Sequence, residues 1–191
     1  LSEGEQTERD RADADFYYFA GEVVGLNQGT KNSKRRLRVD LWEPLHGRIS
    51  RFLQGMEDDP ETVTAVLIPR EHFKTSLCIA YILWRIMQFP PIKILVVHGK
   101  QMHAERMLRE IKWNLESNEK LRALYPDVIW DKPRKESDLW VGSELNLRGH
   151  DGTKVPTLSV TSSESALAGF HYDLIVVDDI VNEQNWQTPE Q

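Results

Sequence analysis

Apolar positions along the chain fall into short blocks whose spacing alternates between two periods. Val63 to Ile68 is a compact apolar run, too short for a helix and ended by Pro69, and it predicts a first buried strand. From Ser76 to Phe89, the residues Ile79, Ala80, Leu83, Ile86 and Met87 recur at helical spacing and make one stripe, which Pro90 and Pro91 terminate. Ile92 to Val97 predicts a second buried strand, His98-Gly99-Lys100 a turn, and Met102 to Leu115 a further helix. Asn118 to Tyr125 predicts a shorter helical piece stopped by Pro126. Glu144 to Arg148 alternates like a half-exposed strand, His150-Asp151-Gly152-Thr153 reads as a hairpin turn, and Thr157 to Thr161 as the returning strand. Leu174-Ile175-Val176-Val177 predicts a fully buried, central strand running into Asp178 and Asp179. Strands alternating with helices give an α/β class, with a mainly parallel sheet and helices on both faces.

The N-terminal part reads differently. Leu1 to Asp15 is acidic and polar, which fits either disorder or a solvated helix. Phe16, Tyr17, Tyr18, Phe19, Val23, Val24 and Leu26 supply a short apolar segment able to pack on a core. Leu41, Pro44, Leu45, Ile49, Phe52 and Leu53 mark an amphipathic helix with Pro44 in its first turn. Residues 1–40 are therefore expected to form a partly disordered arm, and 41–191 the core. Residues 127–142 show no clear period, and Trp130 and Trp140 within them are expected to pack.

Composition narrows the function classes. Hydrophobic residues make up 40% and charged residues 28% of the 191 positions, an ordinary globular balance. A formal net charge of −6 argues against a general nucleic-acid-coating protein. The local run Lys31, Lys34, Arg35, Arg36 and Arg38 fits either a DNA or partner contact or an exposed linker. One cysteine, Cys78, excludes an internal disulfide and a cysteine-based zinc site, and fits a reducing compartment. No secretory signal is present, and the longest apolar helix, around Leu77 to Met87, is interrupted by Arg85 and too short to span a bilayer. The chain starts at Leu1 rather than Met and stops soon after Asp178-Asp179, so both ends are expected to be cuts.

Two stretches carry chemistry. In Pro69-Arg70-Glu71-His72-Phe73-Lys74-Thr75-Ser76, a strand-loop-helix pattern puts Lys74 and a hydroxyl residue at a helix N-terminus, where backbone N–H groups and the helix dipole favour phosphate. That is how a P-loop ends, although Ile68 and Phe73 stand where its two glycines belong. Lys74 would reach the β- and γ-phosphates, Thr75 would ligate Mg²⁺, and Arg70 could meet the γ-phosphate bidentately. Arg70, Glu71 and Lys74 also fit a solvated loop with ion pairs, and His72 fits a pocket wall as well as an exposed loop. In the second stretch, Asp178 and Asp179 end an apolar strand at the ligand edge of a parallel sheet. There the first acid would orient Mg²⁺ and the second would activate an attacking water.

Together, Pro69 to Ser76 and Gly169-Phe170-His171-Tyr172-Asp173-Leu174-Ile175-Val176-Val177-Asp178-Asp179 resemble the ATPase domain of large terminase subunits, the DNA-packaging motors of tailed phages. The likeness runs roughly from Leu41 to Val181, and is specific at the two motifs. That family has a deviant Walker A loop with an arginine four residues before the lysine and no fixed glycines, which matches Arg70 and Lys74. The resemblance implies an ASCE, RecA-like P-loop NTPase fold, incomplete on its C-terminal side, with ATP and Mg²⁺ as cofactors. It assigns Arg70, Lys74 and Thr75 to phosphate and Mg²⁺, Asp178 to Mg²⁺, and Asp179 to water activation, where many members carry Glu. It further implies translocation of double-stranded viral DNA into a procapsid in the cytoplasm of an infected bacterial host. The implied partners are DNA, a portal protein, a small terminase subunit and a ring of identical copies, with no membrane. Trp42 and His46 lie where related motors keep an adenine-contacting motif. A trans-acting arginine would fall at Ala168, with Arg134 and Arg148 as substitutes. The coupling motif, a following strand and the nuclease domain are expected beyond Gln191, so endonuclease activity would belong to the full-length protein. A helicase-like motor and a non-catalytic domain with a degenerate P-loop are the alternatives.

Overall fold

A computed structural model describes residues 1–27, 40–58, 63–69, 71–165 and 170–180. Arg70, Ala168, Gly169 and the basic run from Lys31 to Arg38 lie outside these residues. The chain divides into two compact units, Leu1–Trp84 with Asn118–Tyr125, and Arg85–Ser117 with Pro126–Gln191.

In the first unit the acidic N-terminus takes the solvated-helix form. Helix α1 (Glu3–Ala14) starts at a capping box, in which Ser2 accepts from the Glu5 backbone and Glu5 accepts from the Ser2 backbone. The helix buries Ala12. Helix α2 (Phe16–Tyr18) continues into a wider π-helical turn, Phe19–Val23. Phe16 and Phe19 are fully buried. Phe16 packs against Tyr81 and Trp84, with ring centroids 5.4 and 5.3 Å away. Trp84 satisfies its indole N–H on the Ala12 carbonyl at 3.0 Å, so this large ring is buried without an orphaned donor. The amphipathic pattern of 41–53 gives a π-helical turn at Glu43–Gly47, with Pro44 at its start, followed by α3 (Arg48–Gln54). Helix α4 (Lys74–Gln88) begins in this unit. Helix α6 (Glu119–Leu124) completes it, capped by Asn118, whose amide also donates to the Val23 carbonyl at 2.9 Å.

Among the described residues the second unit is a four-stranded sheet, mostly parallel and flanked by helices. Its strands are β1 (Ile94–His98), β2 (Glu144–Leu145), β3 (Leu158–Ser162) and β4 (Leu174–Asp178), in the spatial order β2-β3-β1-β4. β1 pairs in parallel with β3 and with β4, and β2 runs antiparallel to β3. Every residue of β1 is buried, as its unbroken apolar run requires of a central parallel strand. Helix α5 (Gln101–Ser117) covers β1 and β3 with Ala104, Met107, Leu108, Ile111 and Leu115. A short helix, α7 (Pro133–Glu136), lies in the aperiodic stretch. Trp130 and Trp140 do pack there, under the Arg148 guanidinium and the Lys112 ammonium at 4.5 and 4.9 Å. Among the described residues no helix is long and apolar enough to cross a membrane.

Three expectations are corrected. Val63–Ile68 is not a sheet strand. It is extended chain in which Val63, Ala65 and Leu67 face solvent while Thr64, Val66 and Ile68 are half-covered, and no described strand pairs with it. The period-two exposure is that of a strand, but an apolar run fixes only the local conformation, whereas a ladder also needs a neighbour. β4 is neither central nor fully buried: it ends the sheet, pairing with β1 alone among the described strands, and Ile175 and Val177 are 57% and 50% exposed. Finally, β2 is only two residues long, so the antiparallel pair with β3 is joined by a long excursion rather than by a tight hairpin.

Candidate functional site

The loop before α4 holds two non-glycine residues in left-handed backbone, Glu71 at φ 67° and Phe73 at φ 58°. Phe73 stands where an ordinary P-loop has its second glycine. That conformation is free for glycine but costs about 1–2 kcal/mol for a residue with a Cβ. Phe73 also starts the helix, since its carbonyl accepts the Leu77 N–H at 2.8 Å, and Lys74 is the first residue of α4. A cation at the N-terminus of a helix faces the positive end of the dipole, a placement that an anion there would relieve.

His46 lies beneath this loop. It is 4% exposed, and its Nδ1 accepts the Trp42 backbone N–H at 2.7 Å. The proton of the neutral ring is therefore on Nε2, which donates to the His72 carbonyl at 3.3 Å. The ring also meets Phe73 edge-on, with centroids 5.7 Å apart. Burial lowers the His46 pKa below the ordinary histidine range. An unfolded chain would thus bind a proton here more readily than the folded one, so this contribution to stability is full above the ordinary range and is lost as pH falls through the lowered pKa. Trp42, by contrast, is exposed.

The strain at Phe73 is measurable. Phe73→Ala and Phe73→Gly both remove the ring contact, but only glycine relieves the left-handed backbone. Phe73→Gly is expected to be more stable than Phe73→Ala by about 1 kcal/mol in urea unfolding. Equal stabilities would mean that residue 73 is not held at positive φ.

At the other candidate stretch, the two acids differ in environment. Asp178, the last residue of β4, is 3% exposed, whereas Asp179 is exposed and sits in left-handed backbone at φ 49°. The Asp179 carbonyl accepts the Gly99 N–H at 3.3 Å. A Cβ on Gly99 would fall 2.7 Å from that carbonyl oxygen, a contact with rigid backbone, so glycine is required there. Gly99→Ala is expected to destabilise the chain by about 1–3 kcal/mol, checked by denaturant titration. The start of β4 is fixed as well: the Asp173 carboxylate accepts the Lys93 N–H at 2.8 Å, and the Asp173 N–H donates to the Lys93 carbonyl at 2.9 Å.

Register places Ser162, His98 and Asp178 in one row across the carboxyl ends of β3, β1 and β4. His98 is buried, packs edge-on against His103 at 4.9 Å, and accepts the Lys100 N–H on Nδ1 at 3.2 Å. The row has the residue types of a hydrolytic triad but not its wiring. With Nδ1 already an acceptor, the ring cannot donate from one nitrogen to an acid while accepting from a serine on the other. The Ser162 hydroxyl instead meets the Ser165 hydroxyl at 3.1 Å, and the Ser163 N–H ties the loop to the His98 carbonyl at 3.0 Å. Sequence reading treated His98 as a turn residue; its signal was a histidine ending a buried apolar strand.

Pro69 and Glu71 to Ser76 are contiguous in the first unit, with Pro69, Glu71, His72 and Thr75 exposed and Phe73, Lys74 and Ser76 half-buried. Asp178 and Asp179 belong to the second. Among the described residues no group of three or more His, Cys, Asp and Glu is arranged to hold a metal ion. Thr75 in the first unit and Asp178 in the second each offer a hard oxygen of the kind Mg²⁺ takes. Arg134 pairs with Glu116 at 2.8 Å, and Arg148 stacks on Trp130, so both substitute arginines have partners within this chain. Neither a protein-family model nor a curated protein sequence matches the chain.

Proposed function

We propose that the chain is the P-loop ATPase core of a DNA-packaging motor of the large-terminase type. The observation that carries this reading is the loop itself, with Glu71 and Phe73 in left-handed backbone directly before Lys74 at the start of α4. Backbone strain of this kind is retained where a ligand or reaction uses it. The cation at a helix N-terminus and the buried acid that ends a parallel strand support the same reading.

Bound Mg·ATP would supply the phosphoryl group and the cation that neutralises its charge. Lys74 and the N–H groups at the start of α4 would hold the β- and γ-phosphates, with Arg70 on the γ-phosphate. Pro69, Glu71, His72, Phe73 and Ser76 would shape the loop around them. Thr75 and Asp178 would hold the magnesium, the buried position of Asp178 suiting a carboxylate that meets a cation. Asp179, which is exposed, would orient a water and take its proton. Catalysis would be positioning and charge stabilisation rather than covalent chemistry. Double-stranded DNA as the cargo, a ring of identical subunits, portal and small-subunit partners and the cytoplasm of an infected bacterium rest on the family resemblance. Titration of the chain with Mg·ATP in a calorimeter tests the core of the proposal: saturable binding is expected, and its absence would remove the phosphate site.

A further inference from the structure

We infer that His46 is the positioning residue of the Pro69–Ser76 loop, clamping the backbone at His72 and Phe73 so that Lys74 is presented in one orientation. This rests on the phosphate-binding reading of that loop.

The clamp is fixed at its base. Tyr17 donates its hydroxyl to the Leu41 carbonyl at 3.2 Å, and Leu41 is buried in the first unit. The next residue, Trp42, is joined to His46 twice, by the His46 N–H on the Trp42 carbonyl at 2.8 Å and by the Trp42 N–H on Nδ1 at 2.7 Å. The second bond locks the ring as well as the backbone, and leaves Nε2–H as its remaining donor. That donor meets the His72 carbonyl, and the ring packs in a T-shaped pair with Phe73. A glycine-bearing loop reaches left-handed backbone at no cost, so its shape needs no side chain from elsewhere. Phe73 does incur that cost, and the contacts from His46 offset it. The ring thus stands in for the missing glycine, one residue before the phosphate-facing lysine.

Two variants separate the ends of the clamp. His46→Asn keeps an acceptor for the Trp42 N–H but is too short to reach His72. His46→Gln extends an amide donor toward the His72 carbonyl. With Mg·ATP as the probe, His46→Asn is expected to lose about tenfold in affinity and His46→Gln to stay within about threefold of wild type, the difference of one well-placed hydrogen bond. Both should lower the melting temperature by similar amounts, so affinity and stability part company. Wild-type binding with an unaffected His46→Asn would overturn the role of His46 alone. So would equal losses of affinity in the two variants, which would make the residue merely structural. Absence of binding by the wild-type chain would overturn the phosphate-loop reading and this role with it. The imidazole ¹⁵N shifts of the wild-type protein give a readout without nucleotide: an Nε2–H tautomer is expected, and an Nδ1–H tautomer would overturn the clamp.

Discussion

Lys74→Ala is expected to lower Mg·ATP affinity by about a hundredfold or more, close to 3 kcal/mol, while leaving the melting temperature nearly unchanged. The lysine opens α4, is half-buried and sits outside the apolar core, so its removal costs the fold little. A variant of nearly unchanged stability that is far weaker toward nucleotide is therefore the signature of a phosphate-facing lysine. Equal, negligible binding by wild type and variant would sink the ATPase reading and leave a domain with a degenerate loop.

Asp179→Asn should keep nucleotide affinity within about threefold and reduce turnover by about 10²–10³-fold, the usual weight of a general base. Asparagine is the informative replacement because residue 179 lies at φ 49°, a region that asparagine tolerates and alanine does not. The bond from Gly99 goes to the backbone carbonyl of Asp179, so it survives the substitution. A loss of turnover in Asp179→Asn thus reports on the carboxylate rather than on the strand end. Unchanged turnover in a chain that does hydrolyse ATP would exclude Asp179 as the base and shift the search to another group.

Local signals were legible in the sequence. The helical stripe beginning at Ile79, the prolines that stop it, the apolar run of β1 and the helical piece from Asn118 to Tyr125 all produced the elements they implied, because each depends on neighbours within a few residues. Val63–Ile68 and β4 were misread for a shared reason. Four or five consecutive apolar residues specify extended backbone, but whether both faces are covered depends on where the strand lies in the sheet, which no local pattern encodes. The candidate site is a pair of motifs in the sequence, and its geometry is not legible there. The missing glycine at residue 73 looked like evidence against a phosphate loop, yet the backbone there is left-handed all the same. The residue that accounts for this, His46, lies 26 positions upstream of the carbonyl it holds. Nothing in its own neighbourhood distinguishes it from any histidine on a short amphipathic segment.

Among the described strands β4 lies at the end of the sheet, and that position bears on how the chain behaves in concentrated solution. Leu174 to Val177 is apolar, β-branched in three of its four residues, and free of charge, with Ile175 and Val177 turned outward. An edge of that kind is a template for pairing with another molecule, and natural sheets blunt such edges with lysine, proline or a bulge, none of which occurs within these four residues. Aggregation through this edge would grow as protein concentration rises. Light scattering that rises with protein concentration, and falls in Val177→Lys, is the behaviour expected of such an edge.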